Sequence, residues 1–375
     1  MTRPPDAARP LPDARPAAPG TRTRTRSAAL DVLRIAAILG VVAIHVFGGI
    51  VGNAAIRGSG TWWAATVIDI GSIWVVPVFV MVSGALLLSP RAHADGPAAF
   101  YRKRLLRLGP AFVFWQVFYI VVVRMLLQHQ HLGLVETGGL IFDAKTYTHL
   151  YFLWLIVGLY VVAPVLAAFL NGGGQRRALV FAGSVLALTV VVVGLSGFAS
   201  THGSPHPIVL NALTQWIPYV GYFLAGWALR NLVIRAGWTS VAAIGTLGLL
   251  ALTIWQYGGA GVPGWLNALS PVGYYGGIVA LASIGVFVVA NSLFAGGRPF
   301  GPRSSRGLAT LSDAAFGVYL VHFAFLVLAE LLIPGLAAGR QSTLWVALAI
   351  WAGISVLSFA VSLGARRVPY LRRLF

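Results

Sequence analysis

Cysteine is absent from the 375-residue chain, which excludes disulfides, thiolate nucleophiles and cysteine-held metals. Charge is scarce as well. Only 10% of residues are charged, against about 25% in ordinary soluble chains, too few to cover a water-facing surface. Acidic side chains are the rarest: nine Asp and Glu stand against 27 Lys and Arg, a net charge of +18. No Walker loop, HExxH pair, GxSxG elbow or Rossmann glycine fingerprint occurs, which disfavours ATP hydrolysis and nicotinamide chemistry. The longest break between apolar runs is roughly 20 residues, too short for a separate soluble domain.

What the chain does have is long apolar runs, within a composition that is 58% hydrophobic. They fall at roughly 28–50, 67–89, 106–127, 149–170, 177–197, 211–230, 238–257, 272–294, 310–334 and 342–364. A helix needs about 20 apolar residues to cross a hydrocarbon core, whereas a β-barrel shows short alternating segments. The expected fold is therefore all-α, a polytopic transmembrane bundle of about ten helices. Its basic residues alternate from break to break. One side takes the N-terminal tail, Arg91 to Arg107, Arg176 and Arg177, Arg230 and Arg235, Arg298 to Arg306, and Arg366 to Arg373. The other takes Arg57, Lys145 and Arg340, with Arg124 near that face. The positive-inside rule then puts both termini in the cytoplasm and the chain in the cell membrane. Residues 1–27 read as a disordered basic cytoplasmic tail, 28–365 as one membrane domain and 366–375 as a second basic tail. Six Pro and six Arg crowd the first 26 residues with no apolar run, unlike a signal peptide.

Ionisable groups inside a span are costly and mark function by default. The first run, LDVLRIAAILGVVAIHV, carries Asp31, Arg34 and His45. Eleven residues separate Arg34 from His45, which returns to within ~20° of the same helix face with a rise of ~16 Å. Asp31 lies one turn from Arg34 and can pair with it. The alternative is a snorkelling arginine and a histidine bonded to a neighbouring helix. Ser83-Gly84 in VPVFVMVSGALLL suits close helix packing. In FYRKRLLRLGPAFVFW, Arg104 and Arg107 share a face, as either a topology anchor or a phosphate clamp. His149, Tyr151, Trp154 and Tyr160 fit an interfacial aromatic belt, with His149 ambiguous. His322 and Glu330 are too polar to face lipid. No metal site is expected, since His129, His131, His202 and His206 fall in breaks rich in Gly and Pro.

These blocks resemble the acyltransferase-3 family of integral membrane acyltransferases. The similarity runs in order through LDVLRIAAILGVVAIHV, FVMVSGALLL, FYRKRLLRL, FLWLIVGLYVVAPVL, YVGYFLAGWAL and LSDAAFGVYLVH, over nearly the whole of 28–364. It is nearest the stand-alone sugar O-acetyltransferases, without the esterase-like domain of many relatives. The resemblance implies catalysis by Arg34 and His45, and acyl-CoA contacts from Arg102, Arg104 and Arg107. Acyl-CoA, in its acetyl form, is then a co-substrate rather than a bound cofactor. The acceptor is a hydroxyl of a sugar, glycan or lipid-linked sugar, and nucleic acid is not a partner.

In such a transfer a neutral imidazole takes the hydroxyl proton, with His45 as the base and His322 in reserve. A transporter or flippase is the rival class. It predicts coupling carboxylates at mid-span. Asp31, Asp69, Asp313 and Glu330 all lie near helix ends instead. The topology is testable: reporter fusions at residues 173 and 303 are expected to score cytoplasmic, and those at 140 and 262 extracytoplasmic. Inversion at either pair overturns the helix count.

Overall fold

A computed structural model describes residues 27–295 and 301–375. The expected tail over residues 1–26 and Arg298 lie outside the described residues. Ser27 is described, and its side chain accepts the Leu30 N–H to cap the first helix. All ten apolar runs form helices. Eight are long and apolar enough to cross a membrane. They are α1 (Ala28–Val51), α2 (Gly60–Leu87), α3 (Gly96–Leu127), α4 (Tyr151–Asn171), α5 (Gly174–Thr201), α7 (Ala236–Gly258), α9 (Pro302–Leu332) and α10 (Leu344–Ala365). The shorter apolar helices are α6 (Ile217–Leu229) and α8 (Gly277–Leu293). No strand occurs among the described residues. The chain is a multi-pass helical membrane protein.

Several helices begin before their apolar runs. The third starts at Gly96, so Arg102, Lys103 and Arg104 lie within the helix and not in the break before it. Hydropathy marks only the part of a helix that suits hydrocarbon. Backbone hydrogen bonding continues into the interface, where charged side chains reach water. α3 changes to π-helical winding over Tyr119–Leu127.

The first helix holds the centre, packed against α2, α9 and α10. Trp351 on α10 donates its indole N–H to the Leu39 carbonyl at 3.0 Å, tying those two helices together. α2 buries 67% of its apolar stretch, against 17% for α5 and α7, which therefore turn mostly to lipid. Short α6 is buried at every position from Gly221 to Ala228. A helix apolar all round belongs inside, and α6 lies between α2 and α5.

The crossing of α2 and α6 rests on two glycines. A β-carbon at Gly84 would meet the Phe223 carbonyl, and one at Gly226 would meet the Met81 carbonyl. Backbone atoms cannot step aside, so the two helices touch main chain to main chain. Overpacking at such a contact costs about 1–3 kcal/mol. Gly84→Ala is expected to lower the thermal unfolding midpoint of the detergent-purified protein. A midpoint equal to wild type means the helices do not meet this closely.

Candidate functional site

One large cavity, about 1140 Å³, opens into the bundle. Its lining joins two chemically different ends. At one lie Arg34, Arg104 and Arg107 with Asp313, Arg366, Arg372 and Arg373. At the other lie His45 and His149, with Tyr151, Phe152, Tyr274 and Tyr319 along the walls. Arg34 and His45 both reach this space from α1, as their shared helical face predicts.

The histidine end gathers three imidazoles from three helical segments. His45 comes from α1, His149 from the turn before α4, and His322 from the middle of α9. The rings of His45 and His322 stack with centroids 5.4 Å apart. His149 meets His322 edge-on at 5.0 Å and His45 at 6.3 Å. Phe323 closes one side, 4.8 Å from His45 and 5.4 Å from His149. His45 is half-buried and opens to the cavity, whereas His322 is buried behind it and does not line it.

Hydrogen bonding fixes the tautomer of His322. Its Nδ1 lies 2.8 Å from the Tyr319 carbonyl and 3.1 Å from the Val318 carbonyl. Carbonyl oxygens only accept, so Nδ1 carries the proton and Nε2 keeps its lone pair. That Nε2 is buried with no hydrogen-bond partner. Tyrosines hold the surrounding backbone. Tyr319 donates to the His149 carbonyl at 2.7 Å, and Tyr119 donates to the Leu320 carbonyl at 2.9 Å while accepting the Ala324 N–H at 3.2 Å. These bonds bracket the turn that carries His322. Face-stacked rings do not converge their nitrogens on one point. Among the described residues no group of three or more His, Asp or Glu is placed to hold a metal.

Beyond His45, α1 is pinned by Arg340. Its guanidinium pairs with Glu330 on α9 and donates to the Val46 carbonyl at 3.1 Å. Glu330, too polar for lipid, is thus half of an ion pair that joins α9 to α1.

The basic end is built on α3. Arg104 is half-buried over Phe100 and Tyr160, its guanidinium carbon 5.3 and 5.8 Å from their ring centroids. Its Nε is buried without a hydrogen-bond partner. A buried, unmatched cationic donor in a cavity wall is what an anionic ligand would complete. Arg107 is exposed on the same lining. Arg102 is exposed and lies outside the lining. Sequence reasoning set Arg366, Arg372, Arg373 and Phe375 aside as a topology anchor, yet all four line the cavity. The only signal there was the Leu374-Phe375 pair after the arginines; the contacts that seat it are tertiary.

A helical membrane bundle with a polar interior cavity defines the class. The family model described as an acyltransferase domain, that of the acyltransferase-3 proteins, matches residues 27–367. That is nearly the whole chain, which belongs to this family and is a membrane acyltransferase. No curated protein and no solved structure matches it.

Proposed function

We propose that the chain transfers an acyl group, most simply acetyl, from acyl-CoA to a hydroxyl of a sugar or glycan-type acceptor. One observation carries the reading: a single cavity is lined by arginines at one end and His45 at the other. Donor and acceptor pockets need that arrangement. The anionic nucleotide of coenzyme A suits the arginines, and the uncharged pantetheine arm suits the less polar middle. Arg34 and His45, ~16 Å apart along α1, run parallel to that arm. By the charge bias of the breaks, the arginine end faces the cytoplasm, where acyl-CoA is made.

The chemistry follows from the groups at the far end. The acceptor oxygen attacks the thioester carbonyl carbon, and a C–O bond forms as the C–S bond breaks. His45, open to the cavity, takes the hydroxyl proton and returns it to the departing thiolate, giving free coenzyme A and the ester. His322, stacked behind His45 and locked as its Nδ1–H tautomer, braces the His45 ring and is the reserve base. Arg34, charged at any working pH, holds a phosphate or polarises an oxygen from the same face. Aromatic walls at Phe79, Tyr151, Phe152 and Tyr274 give flat apolar surfaces for the C–H faces of a sugar ring. His45 lies toward the extracytoplasmic half of α1, so the acceptor meets the acyl group from that side.

His45→Ala is expected to lower turnover by about 10²–10⁴, the range for a lost general base, while the protein stays in the membrane. Arg104→Ala is expected to raise the Michaelis constant for acyl-CoA by roughly ten- to a hundred-fold, since a desolvated charged hydrogen bond contributes ~1.5–3 kcal/mol. The check is acyl-CoA consumption by the purified variants with acceptor present. Near-normal turnover in His45→Ala moves the base to His322. An unchanged constant in Arg104→Ala removes the phosphate clamp.

A further inference from the structure

The segment after α10 does not trail away as a basic tail. Arg366 lies 3.7 Å from the Asp313 carboxylate of α9. After a tight turn over Leu371–Arg373, the Leu374 carbonyl accepts the indole N–H of Trp115 at 2.8 Å. Phe375 packs edge-on to Trp115, with centroids 5.5 Å apart. Trp115 itself is 3% exposed, so the anchor point is inside the bundle. The Phe375 ring also reaches α9, where a β-carbon on Gly317 would lie 2.9 Å from it. The segment is therefore stapled to α3 and α9 on both flanks of Arg372 and Arg373, and both arginines border the cavity mouth.

A topology anchor needs none of this. Positive-inside residues act through headgroups at the surface and need no fixed tertiary seat. Among the described residues, the lining carries six arginines against the single side-chain carboxylate of Asp313. That excess is more than one phosphate would balance. Arg104 is half-buried on α3, whereas Arg372 and Arg373 are exposed on a different element.

We propose that Arg372 and Arg373 form a second phosphate subsite of this cavity, which receives the ribose 3′-phosphate of coenzyme A, while Arg104 and Arg107 face its diphosphate. The inference rests on the acyl-CoA reading above and deepens it. Coenzyme A bears its phosphates in two separate groups, as the mouth bears its arginines. Docked there, the segment doubles as the outer wall of the donor pocket. The shared chemistry of a phosphate monoester and an anionic lipid headgroup makes the lipid the competing source.

The test uses the full chain in nanodiscs of zwitterionic lipid, titrated calorimetrically with coenzyme A and with 3′-dephospho-coenzyme A. Wild type is expected to bind coenzyme A about tenfold more tightly than the dephospho compound, the worth of one charge-assisted contact. In the Arg372→Gln/Arg373→Gln variant, coenzyme A is expected to weaken to the dephospho level. Affinity for the dephospho compound should stay unchanged, which also shows that the variant is folded. A variant that keeps the wild-type preference overturns the subsite, as does an equal loss for both ligands. A loss of preference seen only in nanodiscs of anionic lipid assigns the arginines to headgroups and overturns it too. Wild type that binds neither ligand fails at the earlier step, the acyl-CoA reading itself.

Discussion

Hydrocarbon cannot solvate a charge, so a polar cavity inside a membrane bundle has to be walled off by protein on every lipid-facing side. The rest of this fold answers to that requirement. α1 carries Arg34 and His45 down one stripe, and it packs against α2, α9 and α10. α2, α9 and α10 shield it, and each is fixed to it or to a neighbour by contacts that tolerate little change. The main-chain crossing at Gly84 and Gly226 draws α2 against α6. The Trp351 bond to Leu39 draws α10 against α1. Outside this inner group, α5 and α7 present mostly lipid-facing surface and add no residue singled out for chemistry.

Within that enclosure, three histidines from separate helical segments are held in fixed orientations. Stacked rings at 5.4 Å hold His45 and His322 face to face, and backbone carbonyls fix which nitrogen of His322 is protonated. Tyr119 and Tyr319 bond the backbone on either side and so hold the rings without competing for their lone pairs. In the proposed transfer His45 takes a proton and then returns it, and a ring held in place need not reorient between the two steps. In the proposed function the arginine end works by charge instead, and it tolerates exposure because the donor's phosphates would arrive from water.

Much of this was legible in the sequence. All ten runs gave helices, eight of them long enough to cross a membrane, because hydrophobic length is a direct physical requirement of the bilayer. The Arg34–His45 stripe was legible because eleven residues nearly complete three helical turns. His322 stood out as too polar for lipid, but its stacking on His45 was not visible, since contacts between α1 and α9 span most of the chain. His149 read equally well as an interfacial aromatic. Its place in the cluster depends on the turn before α4 folding under Tyr319. Arg366 to Phe375 had the composition of a positive-inside tail, and a charge pattern cannot distinguish arginines that face headgroups from arginines that face a cavity. Arg102, one turn fragment from Arg104, points elsewhere because two residues along a helix turn the side chain by about 200°.

The central claim is that one donor molecule spans the cavity, nucleotide at the arginines and acyl group at the histidines. An acyl-CoA analogue with a photoreactive diazirine at its acyl end tests this most directly, irradiated on the purified protein and mapped by mass spectrometry. The account predicts cross-links in the α1 peptide around His45 and the α9 peptide around His322, both suppressed by excess unlabelled acyl-CoA. Cross-links confined to residues 100–107 and 366–375 would contradict it, because the acyl group would then never reach the imidazoles.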